Sequence, residues 1–296
     1  MYGIHRYRPT LYFVLAFAVT WINGYILVAQ SHQGADNNLF NLFLAYMGPL
    51  LAALFMMYVF ADKPFRADFR RRIVDLRLID KRYLPFTLLL PPLAMVAAIG
   101  ISVAFGQPVE QLRFNEAFKV LDGEVIFSMI ILVLVPVLEE LGWRGYGVDS
   151  LTSKFNLFVT SLIFGALWGI WHLPAFFIEG SYQASLWGQH PIFAINFFVG
   201  IIPLAFIMNY LYYRNRRSIA LLALFHILIN YSSEIFEASQ ISKCIYTLIL
   251  AAVAVTLVLR NREFFFTEKM NNYLTETILP PRRRWGWRRR HSDQTA

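Results

Sequence analysis

Eight apolar stretches separated by short polar or basic segments run along the chain, at approximately 11–30, 39–61, 83–105, 125–141, 158–178, 191–213, 219–237 and 241–259. Each approaches the ~20 residues that an α-helix rising 1.5 Å per residue needs to cross a hydrocarbon core. The pattern therefore predicts an all-α polytopic membrane protein of about eight transmembrane helices. The fourth and seventh stretches are the least clear-cut, because charge sits at an edge of each. Between the second and third, Phe65, Phe69, Ile73 and Leu76 recur at helical spacing among arginines, the pattern of an amphipathic helix in a basic loop over residues 62–82 lying on the membrane surface. No repeat at solenoid periods and no inverted duplication of hydropathy is visible.

Composition agrees: 57% of the 296 residues are hydrophobic, 16% are charged and the mean hydropathy is +0.47, which excludes a soluble domain. Charge placement adds orientation. With the N-terminus inside, 24 of the 27 lysines and arginines fall on the inside, and only Arg113, Lys119 and Lys243 fall outside. Such an asymmetry places both termini in the cytoplasm. The net charge of +8 then reflects orientation and attraction to an anionic inner leaflet, and no nucleic-acid partner is needed to explain it. The first span follows Arg6 and Arg8, exceeds a signal-peptide core and has no small-x-small cleavage site before Ser31, so it is expected to remain as an uncleaved helix. Cys244 is the lone cysteine and permits no internal disulfide. Trp285 and Trp287 among six arginines at 280–290 suit either a membrane-surface anchor or a solvated tail.

Ionisable groups inside the apolar spans are the candidates for chemistry. Glu139, Glu140 and Arg144 close the fourth span, and charges at such a place cost roughly 2.5–3.5 kcal/mol each on insertion. Taken alone they are equally well an interfacial cluster where a helix leaves the lipid. Adjacent helical residues point about 100° apart, so the two acids address different sites, while Arg144 lies one turn beyond Glu140. The economical arrangement is a Glu140–Arg144 pair that leaves Glu139 as a carboxylate without an ion-pair partner, suited to a general base. In the fifth span Trp168 and His172 share a face, with Pro174 marking a kink or an end; in the seventh, His226 and Asn230 do the same. One such pair is readily helix glue. Acids, histidines, an arginine and an asparagine from three spans call for a common polar site. Counted along the helices, His226 lies about 10 Å from the cytoplasmic end of its span and His172 nearer ~20 Å. The depths thus agree only partly.

These residues carry a resemblance. EExxxR at Glu139, Glu140 and Arg144, FGxxWxxWHLP from Phe164 to Pro174, and HxxxN at His226 and Asn230 resemble, in order and spacing, the three motifs of the CAAX protease and bacteriocin-processing family of intramembrane endopeptidases, which includes the type-II CAAX prenyl proteases. The resemblance covers roughly residues 125–237. It implies that Glu139 activates the attacking water, that His172 positions it, and that His226 and Asn230 donate to the oxyanion. Glu140, Arg144 and Trp168 would support them. The expected organisation is a three-span region at 1–124, a catalytic core at 125–237, a last helix at 238–259 and a basic tail at 260–296. The substrate would be a membrane-associated peptide or protein, and the expected location is the plasma membrane of a prokaryotic cell.

Other chemistries are weaker. There is no HExxH and no GxSG, and Gly147-Val148-Asp149 lacks the companions of a GxGD aspartyl site. Zinc held by Glu139, His172 and His226 is conceivable as a metal-dependent version of the same hydrolysis, although nothing in the sequence requires a cofactor. A proton-coupled transporter would use discontinuous helices, for which the only candidates are Gly48-Pro49 and Pro174. A catalytically silent immunity protein would show decay of a motif position, and every position is intact.

Overall fold

The computed structural model describes residues 7–34, 38–115 and 123–268. The tail at 280–290 lies outside the described residues. The architecture is helical, and the one β-type feature among the described residues is an isolated antiparallel bridge between Phe114 and Phe236, whose rings stack at 5.8 Å. The helices are α1 (Pro9–His32), α2 (Leu39–Phe60), α3 (Lys63–Val74), α4 (Leu84–Ala104), α5 (Gly123–Gly142), α6 (Val148–Thr152), α7 (Leu157–Trp171), α8 (Tyr182–Gln189), α9 (Pro191–Arg214), α10 (Ile219–Glu234) and α11 (Gln240–Arg260).

Among the described residues six segments are long and apolar enough to span a bilayer, and they coincide with the first, second, third, fifth, sixth and eighth stretches of the sequence. The fourth and seventh correspond to α5 and to the shorter apolar α10. Side chains such as Val14, Ile22, Leu93, Leu248 and Val255 stand exposed on these helices, as a lipid-facing surface requires. The chain is an integral membrane protein. At its centre α5 is flanked by α2 and α10; α1 covers α2, α9 packs between α7 and α11, and α4 closes on α10 and α11.

Two local departures from regular helix shape the interior. Pro49 does not break α2, which runs unbroken from Leu39 to Phe60. A proline inside a helix frees the carbonyl four residues earlier, here that of Ala45, and the Thr20 hydroxyl donates to that carbonyl at 2.7 Å. Trp171 in turn donates its indole N–H to Thr20 Oγ1 at 2.8 Å. The other departure follows α5. The helix does not end near Leu141 but widens into a π-turn at Trp143–Gly147 and continues as α6. Gly142 sits where a side chain would run into the backbone of Pro49 and Leu50, so α2 and α5 approach as closely as two backbones can.

α3 is the amphipathic helix expected in the basic loop, yet one side of it is not a solvated face. Arg72 is wholly buried and Asp68 nearly so. Arg72 lies 2.9 Å from Asp68 and 3.1 Å from Asp149 of α6, and Arg217 reaches both acids. Arg72 also donates to the carbonyls of Arg144 (2.8 Å) and Gly145 (3.1 Å), and Tyr212 donates to the Arg144 carbonyl at 2.8 Å. Two acids and two arginines thus clamp α3 onto the π-turn and onto the α9–α10 turn. In that turn Arg216 and Arg217 adopt φ of 51° and 64°, a left-handed conformation that non-glycine residues hold only when their surroundings fix it.

Candidate active site

The clamp accounts for the depth of His226. The turn before α10 is itself interior, with Asn215, Arg217 and Ser218 all buried, so α10 starts below the surface and His226, about 10 Å along it, is correspondingly deep. Glu139 is set back by the π-turn and α6, and Trp168 lies ~16 Å from the start of α7. Glu139, Trp168 and His226 meet at one level, and His172 lies one turn beyond Trp168.

Trp168 is the hub. Its indole N–H donates to Glu139 Oε2 at 2.8 Å, its ring meets the His226 ring edge-on at 5.2 Å, and its backbone carbonyl accepts from His172 Nδ1 at 2.8 Å. Trp143 supplies a second indole N–H to the same Glu139 oxygen at 3.2 Å. Glu139 makes no ion pair among the described residues, and its other oxygen has no hydrogen-bond partner there; the side chain keeps 4% exposure. Glu140 is fully enclosed and holds two partners on one oxygen, Arg144 at 2.9 Å and His226 Nδ1 at 3.0 Å. Arg144 is enclosed as well. It donates to Asn209 at 3.3 Å and lies 4.8 Å from the centre of the Phe164 ring, while Asn209 donates to Ser161 at 3.1 Å.

The tautomers follow from the partners. A carbonyl can only accept, so His172 Nδ1 carries a proton and its Nε2 is an acceptor in the neutral ring. His172 caps α7, because Pro174 turns the chain into a short 3-10 segment at Leu173–Phe177, and its ring packs between Trp171 at 4.7 Å and Phe197 at 5.2 Å. Glu140, paired to Arg144, is a carboxylate acceptor, so His226 Nδ1 also carries a proton. Asn230 lies one turn along α10 from His226 and is half-buried. The structure therefore draws Glu139, Trp168, His172 and His226 into one contiguous cluster, with Glu140 and Arg144 behind His226.

As a zinc site this cluster fits poorly. Among the described residues no three His, Cys, Asp or Glu side chains converge as metal ligands.

Sequence reasoning missed Trp143 and Asn209. Trp143 was within reach of the same one-turn spacing that pairs Glu140 with Arg144, applied to Glu139. Asn209 is a buried amide inside an apolar span, the signal used for Asn230.

Comparison with known proteins decides the family. The chain is 32% identical over 268 residues to the CAAX prenyl protease 2 of Methanococcus maripaludis, covering 90% of this chain and 98% of that protein. Residues 122–232 match the type II CAAX prenyl endopeptidase Rce1-like family. The chain belongs to that family. It is thus an endopeptidase embedded in the membrane, and the segment matched to the Rce1-like family contains all three polar motifs, from the paired acids of α5 to the HxxxN of α10.

Proposed function

We propose that this protein hydrolyses a peptide bond of a membrane-associated, prenylated peptide or protein by glutamate-activated water, without a metal. The observation that carries this reading is the different fate of the two adjacent acids. Glu140 is sealed between Arg144 and His226, whereas Glu139 is oriented through one oxygen by two indole N–H groups and keeps the other without a protein partner. Glu139 takes a proton from water while His172 Nε2 accepts the water's other hydrogen. The resulting hydroxide adds to the scissile carbonyl carbon, and the oxyanion is met by His226 Nε2 and the Asn230 amide. Collapse breaks the C–N bond, and Glu139 returns its proton to the leaving amine.

His226 Nδ1 is engaged with Glu140, so its Nε2 meets the oxyanion as a donor when the ring carries both protons. A prenylated substrate is supported by the name of the archaeal relative, CAAX prenyl protease 2. Eight spans, cytoplasmic termini and a site opening to the cytoplasm in the plasma membrane are supported by the charge asymmetry along the chain.

The reading is tested by incubating purified protein with a peptide carrying a farnesylated cysteine three residues from its C-terminus, beside its unprenylated twin, and mapping products by mass spectrometry. Release of the last three residues from the farnesylated peptide is expected. Asn230→Ala should lower kcat about 100- to 1000-fold with little change in KM, as for an oxyanion donor used only in the transition state. Equal cleavage of both peptides would remove the prenyl requirement, and an unchanged kcat in Asn230→Ala would remove the oxyanion assignment.

A further inference from the structure

A cavity of about 420 Å³ opens where the end of α2 meets α3, away from the acids of α5. From α3 come three cations, Lys63, Arg66 and Arg70; from α2 come Leu54 and Met57, and Phe69 completes the apolar wall. Among the described residues no acidic side chain lines it. Among the described residues none of the three cations makes an ion pair, in contrast to their neighbours Arg71, Arg72, Arg77 and Arg82, each of which has an aspartate. Arg66 lies 5.5 Å from the centre of the Tyr58 ring, which gives it a side-chain wall to rest on but no counter-charge.

We propose that this cavity is a binding site for the headgroup of an anionic phospholipid. Three unneutralised cations around a concavity suit a phosphate and an acyl-chain origin lying against apolar residues. A solvated basic loop has no reason to gather three of its charges around one pocket while it pairs Arg71, Arg72, Arg77 and Arg82 with aspartates. The position is that of a leaflet boundary: α2 is a spanning helix whose last turn supplies Tyr58, and α3 lies directly beyond it. The lipid, not free phosphate, is the occupant to which the site is fitted, because a hydrated ion gains nothing from Leu54, Met57 and Phe69. The same helix carries Arg72, and Phe69 packs where any side chain at Gly145 would stand, so a headgroup seated here also fastens α3 to the π-turn.

The test is lipid retention, which does not depend on the proposed chemistry. Full-length protein in neutral detergent is mixed with phosphatidylglycerol, with phosphatidylcholine, or with millimolar inorganic phosphate, and examined by native mass spectrometry and thermal melting. One tightly held phosphatidylglycerol per chain with a rise in Tm is expected, and no comparable effect from phosphatidylcholine or phosphate. Each cation near a membrane surface is worth roughly fivefold in affinity. Lys63→Gln/Arg66→Gln/Arg70→Gln should therefore weaken retention on the order of 100-fold. Lys81→Gln/Arg216→Gln/Arg260→Gln, which removes the same charge from exposed positions elsewhere, should keep the single bound lipid. Equal loss in both triple variants would overturn the site in favour of diffuse surface attraction. Stabilisation by phosphate alone would overturn the lipid as occupant.

Discussion

Neutralising each of the two adjacent acids should separate their roles. Glu140→Gln removes the carboxylate that faces Arg144 at 2.9 Å and His226 at 3.0 Å, at a place where Glu140 and Arg144 are both 0% exposed. Breaking a buried ion pair from one side costs about 3–5 kcal/mol, because the remaining charge is left without compensation. Arg144 keeps the Asn209 oxygen at 3.3 Å and the face of Phe164, and the new amide still offers one acceptor, so the low end applies. About 3 kcal/mol corresponds to a Tm lowered by about 6 °C for a chain of this size. Glu139→Gln strands no cation: the amide oxygen accepts from the same two indole N–H groups, and the cost should stay under about 1 kcal/mol. Its amide cannot take a proton from water, so turnover should vanish while the fold survives. Thermal melting in detergent and cleavage of a quenched fluorescent membrane peptide read the two effects on the same preparations. Adding Arg144→Met to Glu140→Gln should restore at least about 1 kcal/mol relative to the sum of the single variants, as coupled partners do. Equal destabilisation by both glutamine variants, or an active Glu139→Gln, would refute the division.

Three further outcomes are expected. Trp168→Phe keeps the ring on Phe164 and His226 but deletes a donor to a charged acceptor, an interaction worth about 1.5–3 kcal/mol, so kcat should fall roughly 10- to 100-fold with the far-UV spectrum unchanged. Activity should persist after treatment with a strong chelator, and added Zn²⁺ should inhibit; loss on chelation with recovery on stoichiometric Zn²⁺ would replace the glutamate-only mechanism. At Asp68 burial alone would raise the carboxyl, but Arg217 and then Arg72 hold it below the ordinary 3.8. Its folded value is lower than its unfolded one, so the stabilisation is present above pH ~4 and is lost as pH falls through the folded value; Tm should drop across that acid range, and Asp68→Asn should flatten the dependence.

Spans and motifs were legible in the sequence because both are local. Hydropathy over twenty residues finds a helix, and one-turn spacing finds Glu140 with Arg144 or Trp168 with His172. Pro49 read as a possible interruption because its own stretch does not reveal that Thr20, on another helix, satisfies the carbonyl it frees. The clamp was invisible for the same reason. Arg72 and Arg217 sit in basic runs that look solvated, and their acid Asp149 lies 77 residues from the one and 68 from the other. Nothing within a window of either arginine names its partner. Helix counting placed His226 too shallow because nothing in its own stretch shows that the turn from which α10 starts is buried.

The position of the acids within α5 has a physical logic. A carboxylate buried in a span needs hydrogen-bond donors or a counter-charge in place of water. Glu139 has the indoles and Glu140 the arginine. The π-turn begins at Trp143, three residues after Glu140, and such insertions recur at functional sites. A widened turn leaves backbone carbonyls with poorer partners inside the helix, and at Arg144 and Gly145 those carbonyls accept from Arg72 and Tyr212 instead. The groups that steady the reacting helix therefore come from α3 and α9, and Arg72 and Asp68 lie well before the 122–232 segment that carries the three motifs. The basic loop does two jobs with two faces: the inward one clamps the π-turn with paired charges, and the outward one presents unpaired charges to the membrane surface.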